Sequence, residues 1–206
     1  MNSKLHLLVV LAGPNGAGKS SFYQRYLASS GLPFLNADVI AKEQFGDAAA
    51  EKAREAARLA DQARAEFIGA KKSFIFETVL SDPVGDKVAF FAKAQEQGYF
   101  LEIHFIGLAS PVLSQARVIH RVSQGGHDVP DDKLVTRYPR TMENLQRLLP
   151  LADRLTIYDN SEHSRAHRPL AMLERGTLRE LSAELPPWIS FLNLPARRIA
   201  ETTVIP

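Results

Sequence analysis

The 206-residue chain contains no cysteine. Disulfide frameworks and thiolate metal sites are therefore excluded, and the composition suits a reducing compartment. No apolar run is long enough to span a bilayer. Met1–Ala12 carries a single lysine and leads directly into a glycine-rich segment, so it reads as a strand and not as a leader to be removed. These points predict a soluble, cytoplasmic protein without membrane attachment. Neither sign of charge dominates: 25 Lys and Arg stand against 23 Asp and Glu, which gives no warrant for nucleic acid as the main partner. With 45% apolar and 23% charged residues the chain is close to the globular average, so wholesale disorder is excluded. Its length, with no internal repeat and no low-complexity linker, suits one domain over residues 1–206.

What the chain does have is Gly13-Pro14-Asn15-Gly16-Ala17-Gly18-Lys19-Ser20. The segment follows the apolar run Leu7–Ala12 and opens into Ser21-Phe22-Tyr23. This is a GxxxxGK[ST] loop between a strand and a helix, the context that a nucleotide phosphate cradle requires. Backbone N–H groups from Gly13 to Ser21 can converge on phosphate oxygens at the helix N-terminus. Lys19 would reach the β/γ-phosphates of ATP, and the Ser20 hydroxyl would ligate Mg²⁺.

Downstream, strand and helix signals alternate. Phe34–Asn36, Phe74–Phe76, Phe100–Ile106 and Leu155–Tyr158 read as strands. Helical patterns lie at about 47–72, from Asp82-Pro83 to about Gln97, from Pro111 to about Val122, and from Asp131 to Leu149. Ala53, Ala56, Ala57, Ala60, Ala63 and Phe67 give the first of these an apolar face. Asp82-Pro83 offers its helix an N-cap with proline at the first position. Alternation of this kind predicts an α/β fold with a parallel sheet and helices on both faces. Ligands then bind beyond the carboxyl ends of the strands, where the phosphate loop, Asp38, Glu77 and Asp159 all fall. A lid region is expected at about 111–145 and a C-terminal appendage at about 165–206. In the appendage, a hairpin turning at Arg175-Gly176 is favoured over a broken helix, and Ala196–Glu201 reads as a short helix.

The loop alone does not choose among phosphate-loop classes. An NKxD guanine-reading segment is absent, which argues against a GTPase. Val122-Ser123-Gln124-Gly125-Gly126 echoes the signature of transport-type ATPases, but no apolar strand ending in Asp-Glu follows it. A small-molecule kinase needs a carboxylate to accept the acceptor hydroxyl's proton, cations about the transferred phosphoryl group, and a cover against water. Asp38 is the candidate base, with capping of a helix from Val39 as the competing role. Glu77 would hold a Mg²⁺-bound water or a substrate hydroxyl; the alternative is a strand-end carboxylate facing solvent. Thr78 is a substrate contact or simple turn chemistry. Arg117 and Arg121 share a helix face leading into the Ser123–Pro130 loop, and Arg137 and Arg140 lie on the helix leaving it. Together they suit a phosphate-clamping lid, against the competing reading of four solvated arginines. His127, inside the loop, reads as a loop contact.

The ordered series Gly13–Ser20, Asn36-Ala37-Asp38, Phe76-Glu77-Thr78, Arg121 to Pro130, Arg137-Tyr138-x-Arg140 and Tyr158–Ser161 resembles the zeta-toxin family, in its compact single-domain branch. The resemblance spans about Leu7 to Ser161. It implies a P-loop kinase fold and transfer of the ATP γ-phosphoryl group to a hydroxyl, which in the family's toxins belongs to a UDP-N-acetyl sugar. It also implies an antitoxin partner. By that resemblance Asp38 is the catalytic base, Lys19 the loop lysine, Glu77 the strand-end glutamate, and Arg121 with Arg137 or Arg140 the lid cations. The family's further acidic residue, on the helix before the Glu77 strand, has only Asp61 or Glu66 as rough counterparts here. A reading from another class is a nucleotide-dependent ATPase switch or toxin-like interaction protein with no small-molecule acceptor.

Overall fold

In the computed structural model the described residues are 5–124, 131–195 and 203–205. Eight strands form one sheet in the order β2-β3-β1-β4-β5-β6-β7-β8. These are β1 His6–Ala12, β2 Phe34–Leu35, β3 Phe74–Thr78, β4 Tyr99–Gly107, β5 Arg154–Asp159, β6 Arg168–Glu174, β7 Thr177–Ser182 and β8 Thr203–Ile205. The helices are α1 Lys19–Phe22, α2 Ala37–Phe45, α3 Ala53–Gly69, α4 Asp86–Glu96, α5 Pro111–Ser123 and α6 Asp131–Leu148. α1 continues through a π-helical stretch, Tyr23–Leu27, into a 3₁₀ turn, Ala28–Ser30.

Strands β2 to β5 run parallel, joined by helical crossovers. β1 lies between β3 and β4, and Leu8 to Ala12 are buried. A central strand covered on both faces reads as an unbroken apolar run, which is why Leu7–Ala12 does not alternate. The chain moves to one side of β1 for β2 and β3 and to the other for β4 and β5. That reversal opens a crevice at the carboxyl ends of β1 and β3.

The main core packs Leu8, Val10, Phe74, Phe76, Leu101, Ile103, Phe105, Leu155 and Ile157 beneath Ile68 of α3, Phe91 of α4 and Met142, Leu145 and Leu148 of α6. The opposite face holds a smaller cluster of Leu11, Ala17, Phe22, Ile106 and Leu108, close to the phosphate loop. β5, β6 and β7 continue the sheet antiparallel, and the β6–β7 hairpin turns at Arg175 and Gly176 with φ 47° and 73°, as expected.

Two expectations require correction. The alanine-rich segment is not one helix from 47 to 72: Gly46–Ala48 is a 3₁₀ turn, and α3 begins at Ala53. Propensity there yields to the turn that lets α2 pack on α3. α4 starts at Asp86 behind Gly85, not at Pro83. The segment before it is held open from α6, where Thr141 Oγ1 donates to the Val79 carbonyl (2.8 Å) and Asn144 Nδ2 to those of Leu80 and Asp82 (3.0 Å each). The parallel pairing of β8 with β7 has no forerunner in the sequence pattern. The helix expected at Ala196–Glu201 and the Gly125–Pro130 part of the loop, with His127, lie outside the described residues.

Candidate active site at the phosphate loop

Close approach shapes the loop. A Cβ on Gly13 would stand 2.1 Å from the Ile106 carbonyl oxygen, and one on Gly18 2.5 Å from Asn160 Nδ2. Gly18 also lies at φ 85°, which favours glycine. The loop carbonyls are tied back to the scaffold. Ser114 Oγ donates to Asn15 O (2.6 Å) and Asn160 Nδ2 to Ala17 O (2.8 Å). His167 Nε2 lies 3.3 Å from Gly18 O. A carbonyl only accepts, so that ring nitrogen carries the proton. Asn160 Oδ1 in turn accepts from the His167 backbone N–H (3.1 Å). The first N–H groups of α1 have no intrahelical acceptor. They open on a cavity of about 250 Å³ lined by Asn15 to Ser21, Asp38, Glu77, Val79, Arg117 and Arg121.

Lys19 is buried beside this cavity. Its Nζ donates to the carbonyls of Gly13 (2.8 Å) and Pro14 (3.0 Å) and stands 3.9 Å from Glu77 Oε1. Burial lowers its pKa, against the upward pull of Glu77 and Asp38. Glu77 ends β3 and does not face solvent as the alternative reading had it: its side chain is 14% exposed. Burial raises its pKa, while Lys19 and a hydrogen bond from Asn36 oppose the rise. A charge in that position requires partners, and it has them.

Asn36 is the site residue that sequence reasoning passed over. Its Oδ1 accepts from the backbone N–H of Asp38 (2.7 Å) and of Val39 (3.4 Å), capping α2. Its Nδ2 donates to Glu77 Oε2 (2.8 Å). The competing role for Asp38 is thereby corrected: Asn36 is the N-cap, and Asp38 stands exposed in the first turn. Its carboxylate lines the phosphate cavity and also a second cavity of about 250 Å³, bounded by Asn36, Arg64, Glu77, Thr78 and Lys87 among others. Helix capping has been delegated to a neighbour.

Thr78 lines this second cavity, and its Oγ1 accepts the Leu80 N–H (3.0 Å), so turn chemistry accounts for that atom. The arginines divide between two places. Arg117 and Arg121 of α5 line the phosphate cavity. Arg117 donates to the Ser161 carbonyl (3.0 Å), and burial lowers its pKa. Arg137 and Arg140 of α6 line a third cavity of about 480 Å³, which shares Thr78 and Lys87 with the second. Asp159 ends β5 as expected but is committed to structure. Its Oδ1 accepts from Trp188 Nε1 (3.0 Å) and Ser161 N–H (3.2 Å), and Arg168 stands 3.6 Å from Oδ2.

The sequence model of the zeta toxin family matches residues 2–169. The chain belongs to the zeta toxin family. The match takes in the phosphate loop, Asp38, Glu77 and all four arginines. No curated protein sequence matches the chain at a significant level. Among solved structures it is similar to one from the PezAT chromosomal toxin-antitoxin system of Streptococcus pneumoniae. Identity there is 17% with a TM-score of 0.56, covering 77% of this chain and 69% of the other. It is also similar to the AvrRxo1-ORF1:-ORF2 complex with ATP, at 18% identity and a TM-score of 0.66, covering 86% of this chain and 61% of the other. The chain thus spans about three fifths of that second relative. At such identities the likeness is one of fold, an α/β phosphate-loop kinase-like sheet.

Proposed function

We propose that this protein transfers the γ-phosphoryl group of ATP to a hydroxyl of a small molecule. The observation that carries the reading is the shared wall: Asp38 and Glu77 line both the phosphate cavity and the cavity beside it. A donor in the first and an acceptor in the second would meet at those two carboxylates.

In this account the loop amides and Lys19 hold the phosphates, with Lys19 exchanging the Gly13 and Pro14 carbonyls for phosphate oxygens. The donor set suits Mg²⁺. The Ser20 hydroxyl sits exposed at the start of α1 in the phosphate cavity, and Glu77 faces the same space and could hold the ion through a water. Held there by Ser20 and, through a water, by Glu77, the ion would supply charge neutralisation to the phosphates. Asp38 takes the acceptor hydroxyl's proton as its oxygen bonds to the γ-phosphorus. The bond from that phosphorus to the β–γ bridging oxygen breaks, and ADP departs. Arg117 and Arg121 neutralise charge on the transferring group, and Arg137 and Arg140 approach from α6.

Family membership puts a UDP-N-acetyl sugar first among acceptors to try. The AvrRxo1-ORF1:-ORF2 relative was solved with ATP and PezAT is a toxin-antitoxin system, which supports ATP as donor and a protein partner as antitoxin. The test is ATP consumption with and without a panel of nucleotide sugars, polyols and hydroxy acids. Stimulation by one compound, with stoichiometric phosphate appearing on it, is the expected result. Slow hydrolysis that no compound accelerates would favour a nucleotide switch instead.

A further inference from the structure

The two faces of the sheet are closed differently. α3, α4 and α6 bury one of them. On the other, α1 is only four residues long, and a π-helical stretch and a 3₁₀ turn carry the chain on to Ser30. π-Helical turns are rare and are frequent at functional sites. Beside this stretch, on the sheet, lies a cavity of about 520 Å³. It shares no lining residue with the three cavities of the proposed transfer site. Leu7, Val9, Leu27, Leu32 and Ile75 give it apolar walls.

Aromatic rings and titratable groups complete the lining. Phe22 is their hub, with ring centroids 5.3 Å from His104, 4.9 Å from Tyr158 and 5.3 Å from His167. Tyr26 packs 4.7 Å from Phe22 and is 47% exposed. Burial, with Arg154 nearby, keeps the His104 ring neutral. Its Nδ1 lies 3.3 Å from the Tyr158 hydroxyl, whereas Nε2 stands 3.7 Å from Glu102 Oε1. Arg154 approaches the same oxygen to 3.8 Å. The Glu102 carboxylate thus has a cation nearby, but neither neighbour is close enough to hydrogen-bond it. The same rings reach the phosphate loop. Phe22 belongs to α1, and His167, 7% exposed at φ 56°, sets Nε2 3.3 Å from Gly18 O. His167 Nδ1 is buried without a partner.

We propose that this cavity is a second ligand site, which takes a small uncharged planar aromatic compound carrying an N–H or O–H donor, and that its occupancy tightens nucleotide binding. Ring edges and aliphatic side chains suit a flat apolar body. Glu102 can accept one hydrogen bond from it and repels an anion, while Arg154 already balances that carboxylate against a cation. Apolar walls with a few polar groups and perturbed titratable side chains are the usual make-up of a small-molecule site. Filling the space beside Phe22 and His167 restrains α1 and the Gly18 carbonyl, so the loop loses less freedom when phosphates arrive. By linkage, nucleotide tightens the aromatic compound by the same factor. None of this depends on the acceptor or on phosphoryl transfer.

The probes are indole, phenol, cyclohexanol and benzoate, each titrated into the full chain with and without AMP-PNP and Mg²⁺ and followed by ligand-detected NMR. Indole and phenol should bind with a Kd on the order of 1 mM or tighter, and about ten-fold more tightly than cyclohexanol or benzoate. Saturating indole should raise AMP-PNP affinity about five-fold. Glu102→Leu and Tyr26→Ala should each weaken indole about ten-fold, with melting temperature and AMP-PNP affinity without indole reporting that they are folded. Binding of neither indole nor phenol overturns the proposal, as does indole binding untouched by both substitutions. A preference for benzoate or cyclohexanol overturns the ligand class, and indole binding that leaves AMP-PNP affinity unchanged or weaker overturns the coupling. Failure of every acceptor to gain phosphate would remove the kinase reading and leave these results standing.

Discussion

Asp38 and Asn36 divide two jobs that one aspartate could have held. With the first N–H groups of α2 satisfied by Asn36, the Asp38 carboxylate is exposed at the junction of two cavities. Replacing Asp38 with Asn should lower phosphoryl transfer by about 10²–10⁴-fold while AMP-PNP affinity, measured by titration, stays within a factor of three. Asn36 permits a finer separation. Asn36→Ala removes the cap and should cost about 1 kcal/mol in a denaturant melt. Asn36→Asp keeps a capping oxygen but sets a second carboxylate beside Glu77, so it should fold nearly as well and still lose turnover. Equal loss of stability in the two variants would contradict the dual role. Asp38 and Glu77 were legible because they follow apolar strands at the ligand edge of the sheet. The role of Asn36 was not, since an asparagine before a helix carries no sign of what its other amide atom reaches. Arg64 escaped notice for a different reason. The periodicity of α3 was traced through its alanines, and a charge inside the seam breaks the pattern that would have revealed it.

At the scale of elements, the phosphate loop is a spring held from behind. Asn160 and His167 reach it from beyond β5, and Ser114 from α5. Gly18→Ala would push a methyl group into Asn160 at a backbone φ that alanine resists, so it should cost about 1–3 kcal/mol and weaken nucleotide binding together. Asn160→Ala, which leaves the loop sequence intact, should weaken nucleotide binding as well, checked by the same titration. The strands and the order of helices were readable from alternation and flanking breakers. The α4 boundary was not. Asp82-Pro83 carries a genuine helix-start signal, and tertiary hydrogen bonds from Thr141 and Asn144 override it. A rule of local chemistry has no view of donors more than 60 residues away.

For the molecule as a whole, the sheet is covered unequally. α3, α4 and α6 bury one face along its length, whereas α1 shelters the other near the phosphate loop. On that second face His104 is 13% exposed, and burial with nearby Arg154 lowers its pKa from 6.5 to about 4. The imidazole is neutral in the fold and protonates more readily once unfolded. Its contribution is full above pH 6.5 and is lost as pH falls toward 4, with a magnitude of about 3 kcal/mol. His104→Gln should therefore flatten the decline in melting temperature between pH 6.5 and 4 relative to the parent protein.

The proposed transfer site is a groove in which a donor phosphate and an acceptor hydroxyl would share Asp38. The most direct measurement supplies ATP labelled with ¹⁸O on the γ-phosphate, Mg²⁺ and a mixture of small metabolites to the parent protein and to Asp38→Asn. Mass spectrometry then follows the label. One metabolite should gain a labelled phosphoryl group with the parent protein and none with the variant, which still binds nucleotide. Label found only in inorganic phosphate with the parent protein, or on the same metabolite at equal rate with both, would contradict it.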